Sequence, residues 1–131
     1  MKSREGLIRL KRFQVDEKRR QVTQIETMIA EFERMAKDLD DQINAEQERS
    51  GIRDVSHFAY PTFAKAAMQR RDNLLASAKE LREQLATAQA DCAEAVEELE
   101  KIQAIADRDH AGERGVDVAS EGARSATAYA R

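Results

Sequence analysis

The chain has 131 residues and a formal net charge of −3, with 36% of its side chains charged, 5% aromatic, one proline and no tryptophan. Apolar residues reach 41%, but 22 of them are alanine, which leaves the bulkier ones at about a quarter of the chain. This is one domain's length and too little bulk for stacked layers of sheet and helix; it suits long helices sharing a narrow apolar seam. The single cysteine, Cys92, excludes an intramolecular disulfide and fits a reducing compartment. No stretch approaches the ~20 apolar residues of a membrane span. Residues 1–6 lead into a charged helix rather than an apolar signal segment. A chain neither inserted nor secreted by that route is the expectation.

A seven-residue period opens the chain. Ile8, Val15, Val22, Ile29, Ala36 and Ile43 recur without a slip, and Ile25, Phe32 and Leu39 follow three residues after the later ones. That is an a/d seam, and it predicts a helix over 3–49. Residues 50–60 break the pattern: Gly51 fits a helix C-terminal cap, and Ser56 or Tyr60 with Pro61 at the first helical position fits a new start. A second seam then runs over 61–110, with Ala67, Leu74, Leu81, Ala88, Ala95 and Ile102 every seven residues, interleaved with Ala78, Leu85, Cys92 and Leu99. Each helix would be about 70 Å long at ~1.5 Å per residue. From Ala111 the periodicity stops and Gly112, Gly115 and Gly122 mix with Ala, Ser and Thr, so 111–131 is expected to be a flexible tail.

Charge supplies an independent test of how the helices meet. Residues 1–20 carry eight bases against three acids, and residues 90–109 carry seven acids against two bases. An antiparallel hairpin turning near Val55 lays these segments side by side. It opposes Ile8 to Ile102, Val22 to Ala88, Ile25 to Leu85, Ile29 to Leu81, Phe32 to Ala78, Ala36 to Leu74 and Ile43 to Ala67, so large residues mostly meet small ones. Surface ion pairs contribute under ~1 kcal/mol each, but their sign pattern sets orientation. The expected fold is all-α: a long two-helix antiparallel coiled-coil hairpin over 1–110 with a flexible C-terminal tail.

Chemistry-bearing constellations are missing from the sequence. His57 and His110 have no metal-ligand partners at a useful spacing. Cys92 falls on the seam as a small apolar residue, acid pairs such as Glu97–Glu98 sit on a solvated face, and no phosphate loop or nucleophile elbow occurs. The expectation is no enzyme, no cofactor, no metal and no small-molecule substrate. Two surfaces suggest partners instead. With Ile8 and Val15 on the seam, a 100° step per residue sends Leu10 and Phe13 to the far side, flanked by Arg9, Arg12 and Arg20. Lys11 and Lys18 occupy d positions and loosen the seam there. At the turn, Phe58, Tyr60 and Phe63 gather half of the six aromatics; they either cap the seam's open end or form a tip that another protein grips. Arg70–Arg71 reads as a solvated step, with Arg71 snorkelling out from a seam position.

The block from Leu7 to Val22 (LIRLKRFQVDEKRRQV), opening a long helix, resembles the N-terminus of the flagellar export protein FliJ family. Phe58–Ala67 (FAYPTFAKAA) with Gln69–Leu74 (QRRDNL) is similar to the turn region of its alphaproteobacterial members. The resemblance covers roughly 1–110. It implies a non-enzymatic antiparallel coiled coil of the flagellar type III export apparatus, similar to the stalk subunit of rotary ATPases. The partners it implies are the hexameric export ATPase, the membrane export gate and export chaperones. The location it implies is cytoplasmic, peripheral to the inner face of the plasma membrane at the flagellar base. Arg9, Leu10, Arg12, Phe13 and Arg20 are then the candidate ATPase end, and Phe58, Tyr60 and Phe63 the candidate tip site. The alternative is a structural coiled-coil scaffold unrelated to motility. Nucleic-acid binding is disfavoured by the net negative charge and by the acidic segment beside the bases.

Overall fold

The computed structural model describes the backbone of residues 2–129 and the side chains of residues 4–112. Two helices make up the fold, α1 (Lys2–Ser50) and α2 (Thr62–Tyr129), packed against each other as an antiparallel hairpin. No strand occurs among the described residues. The backbone of α2 continues as helix past the break expected at 110, through to Tyr129, where the sequence suggests a tail without regular structure; the side chains beyond Gly112 lie outside the described residues. The chain divides into two compact units, Lys18–Asp91 and Met1–Glu17 with Cys92–Arg131, to each of which both helices contribute.

In the unit Lys18–Asp91 the seam is buried as its period requires. Ile29, Ala36 and Ile43 of α1 and Ala64, Ala67, Ala78, Leu81 and Ala88 of α2 are buried; Val22, Ile25, Phe32, Leu39, Leu74 and Leu85 are half-buried beside them. The seam begins one helical turn earlier than the sequence suggests, because Ala64 is fully buried. Apart from Tyr60, no charged or polar residue is buried among those described. Ionic groups reach across the seam from its edge instead. Arg71 is three-quarters covered at a seam position, and its guanidinium donates to Asp40 Oδ1 at 2.7 Å and to Asp72 Oδ1 at 3.1 Å. The bond to Asp40 is the main reason that the guanidinium pKa is held above its ordinary value. Arg71 therefore does not run out to solvent as a free base; it ties α2 to α1. The register opposes residue 40 to residue 70, so this bond falls within one residue of the expected pairing. Arg82 also bonds Glu33 across the two helices.

In the second unit Val15 and Ala106 are buried, and Ile8, Cys92, Ala95, Leu99 and Ile102 are half-buried. Basic α1 meets acidic α2 there as the charge pattern predicts. Lys11 Nζ lies 3.0 Å from Glu98 Oε2, where the register opposes residue 11 to residue 99, and Arg4 pairs with Asp109.

The turn is built by short-range rules. Gly51 adopts φ +75°, a left-handed conformation in which a β-carbon is costly, and its N–H donates to the Gln47 carbonyl at 2.8 Å. This ends α1. Pro61 supplies the carbonyl that accepts the first bond of α2, from Lys65 N–H at 3.1 Å, so it stands one position before the first helical place expected of it.

Because Leu81 is buried mid-seam and Glu83 is exposed, their truncations should separate cleanly. A narrow seam relaxes more readily than a globular core, so Leu81→Ala should cost about 2 kcal/mol, the low end for a buried leucine. Thermal unfolding followed by circular dichroism should show a midpoint lowered by several degrees for Leu81→Ala and unchanged for Glu83→Ala.

Candidate functional site

Two surfaces carry the residues singled out from sequence. The first lies on α1 at its N-terminal end. Leu10 is 50% exposed and Phe13 57% exposed, and Arg9 and Arg12 are exposed with them; Arg20, in the unit Lys18–Asp91, is also exposed. Leu7, three residues before Leu10, extends the same apolar ridge and is also exposed. It was legible by the same 100° step, since it falls 60° beyond Leu10, but its place beside a seam position hid it. Two of the segment's bases, Arg4 and Lys11, are engaged by α2 acids. Arg9 and Arg12 are exposed and belong to neither of these pairs. An open cleft of about 360 Å³ lies in this unit, lined by Arg4, Glu5, Ile8, Ala106, Asp109 and His110. The Arg4–Asp109 pair forms part of its wall.

The second surface is the turn, and here the three aromatics part company. Tyr60 is 7% exposed. Its hydroxyl accepts a bond from Gln47 Nε2 at 2.9 Å and contacts Met68 Sδ at 3.4 Å, which fastens the end of α1 to the start of α2. The proposed grip at Tyr60 is thus corrected: this residue closes the open end of the seam, because its ring is the one that reaches inward at the seam spacing before Ala64 and Ala67. Phe58 is 97% exposed and Phe63 58% exposed. Phe58 is nevertheless held. Its ring stacks on His57 with centroids 4.8 Å apart, and the loop beneath is ordered by its own bonds. Ser56 donates to Asp54 Oδ1 from both its N–H (3.0 Å) and its hydroxyl (2.7 Å). His57 N–H donates to the Asp54 carbonyl, Ala59 N–H to His57 Nδ1, and Tyr60 N–H to the His57 carbonyl. These two bonds from Ser56 hold the Asp54 carboxyl below its usual pKa. With Nδ1 accepting, His57 serves the loop's backbone.

Among the described residues no three His, Cys, Asp or Glu side chains gather as metal ligands would. Cys92 is half-buried on the seam. No described helix is long and apolar enough to cross a membrane. No family model, curated protein or solved structure matches the chain.

The division of labour within the turn is testable. Tyr60→Phe keeps the ring and removes the hydroxyl that bonds Gln47 and Met68, so it should lower stability by about 1 kcal/mol. Phe58→Ala removes an exposed ring and should leave the thermal midpoint within about half a degree per tenth of a kcal/mol that surface changes cost. Thermal melts of the two variants measured side by side check both expectations.

Proposed function

We propose that this chain is a non-enzymatic adaptor of the flagellar type III export apparatus, a stalk that links the hexameric export ATPase, the membrane export gate and export chaperones. The flagellar part of this reading rests on the resemblance of residues 7–22 and 58–74 to the FliJ family. The observation that supports an adaptor role is the ridge of Leu10 and Phe13, exposed on an α1 segment whose opposite side is already packed and ion-paired with α2. A packed helix has no structural use for two bulky apolar residues on its outer face; a partner does.

The chemistry of that segment suits many weak contacts. Arg9 and Arg12 are exposed, so each pair with a partner's acids contributes under ~1 kcal/mol and exchanges quickly. Leu10 and Phe13 supply the apolar anchors, and Arg9 and Arg12 the charged surround. Phe58 and Phe63 form the tip surface in this reading, for the export gate or another tip partner, with Tyr60 beneath as its support. The protein works, on this account, in the cytoplasm against the inner face of the plasma membrane at the flagellar base.

Leu10→Ala combined with Phe13→Ala should weaken binding to the export ATPase by roughly 10- to 30-fold, since interface anchors cost about 1 kcal/mol or more each. Helicity should be unchanged, and Phe58→Ala should spare that binding. A pull-down titration with the purified ATPase, paired with circular dichroism of each variant, gives the answer. Equal binding by the Leu10/Phe13 variant and the parent, or loss of binding on Phe58→Ala, would move the ATPase contact away from this ridge, and a parent chain that does not bind the ATPase would favour a scaffold without this partner.

A further inference from the structure

The two flanks of the seam in Lys18–Asp91 differ in chemistry. On one flank α1 presents Arg19, Glu26, Glu33 and Asp40, and the pairs Glu33–Arg82 and Asp40–Arg71 cross to α2 there. On the other, α1 presents Gln21, Met28, Met35 and Gln42, without a charge. The α2 positions that border it are Phe63, Arg70, Ser77 and Gln84, with one charge among four. Met28 is 43% exposed, and a groove of about 200 Å³ opens beside Met35, Leu39 and Gln42, with Asp38 and Arg70 on its rims.

We propose that this uncharged flank is a homodimer interface, which a second copy of the chain covers to form a four-helix bundle. Three features of the flank select the second copy over an unrelated helix. The groove's rims carry Asp38 and Arg70 at nearly one level, since the register opposes residue 40 to residue 70. A two-fold axis parallel to the helices sets α1 of one copy beside α2 of the other at the same height. Asp38 of each copy then faces Arg70 of the other, so the groove's rims are complementary across the axis; Glu31 and Glu80, level with each other on the outer edge, are exposed, where a like-charge pair costs under ~1 kcal/mol.

The side-chain sizes are self-complementary too. In the same register Met28 stands between the levels of Gln84 and Ser77, and Met35 between those of Ser77 and Arg70. Two flexible thioethers thus enter the space left by a small serine, which suits methionine's capacity to fill irregular gaps. Finally, the extent is sufficient. The flank rises ~32 Å from residue 21 to residue 42 and is about two helices, ~20 Å, wide. That offers on the order of 650 Å² per copy, close to the ~800 Å² per partner of a standard interface. The interface draws only on residues within 18–91 and is independent of the export reading.

The full chain in sedimentation equilibrium at tens of micromolar should weigh twice the 14.8 kDa of one copy. Met28→Glu with Met35→Glu should give the single mass at the same concentration with an unchanged circular dichroism spectrum. Arg70→Asp should raise the dimer dissociation constant about tenfold, and adding Asp38→Arg should restore it, because the reversed pair still matches. The proposal is overturned by a parent chain of single mass at 200 μM, by a dimer that survives the two glutamates, by failure of the reversed pair to rescue, or by a dimer that dissolves on Leu10→Ala with Phe13→Ala instead.

Discussion

A helix that must bury a single narrow stripe can be satisfied by one neighbour, provided that bulk on one side meets space on the other. That constraint runs through both units here. α1 contributes isoleucines at 29 and 43 and alanine at 36; α2 answers with alanines at 67, 78 and 88 and leucines at 74 and 81. With so little apolar mass in the chain, the pairing has to be efficient, and alanine lets two backbones approach where a leucine would hold them apart. Everything polar is consequently pushed to the seam's edges. Apart from Tyr60, whose hydroxyl is bonded, no described residue with a polar or charged side chain is buried, and Arg71, the seam's one arginine, leans out to Asp40.

Orientation comes from charge rather than from the seam. Apolar stripes alone are nearly indifferent to direction, whereas Lys11 opposite Glu98, Arg4 opposite Asp109 and Asp40 opposite Arg71 make sense in one direction only. Each exposed pair contributes little to stability. Their use is in disfavouring slipped arrangements; the 11-residue connection between Ser50 and Thr62 is itself too short to let two ~70 Å helices of one chain run parallel. The turn then enforces the same answer locally: Gly51 stops α1, Asp54 and His57 order the loop, and Tyr60 joins Gln47 to Met68.

Much of this was legible in the sequence because period and charge are properties of composition along a line. Ile29, Ile43, Leu81 and Ala88 are buried where a seven-residue repeat puts them, and Gly51 caps where a lone glycine after a long helix should. Leu10 and Phe13 are exposed where helical geometry sends them. What could not be read was the fate of individual aromatics in an irregular loop. Phe58, Tyr60 and Phe63 are alike in composition, and only the path of the backbone decides that Tyr60 turns inward while Phe58 stands out. Arg71 was half legible: its seam position was plain, but its partner depended on where Asp40 stood across the interface.

The account rests on antiparallel packing within one chain, in a stated register. Cysteines at 22 and 88, with Cys92 replaced by alanine, test that most directly, since Val22 and Ala88 are opposed seam positions buried or half-buried in the same unit. Mild oxidation at low protein concentration should give a disulfide inside single chains, seen as a monomer of altered mobility under non-reducing electrophoresis. A control pair at 22 and 74, nearly four helical turns (~21 Å) out of register, should fail to close. Disulfide-linked dimers in place of the intrachain product, or equal closure of the control pair, would contradict the register and the hairpin together.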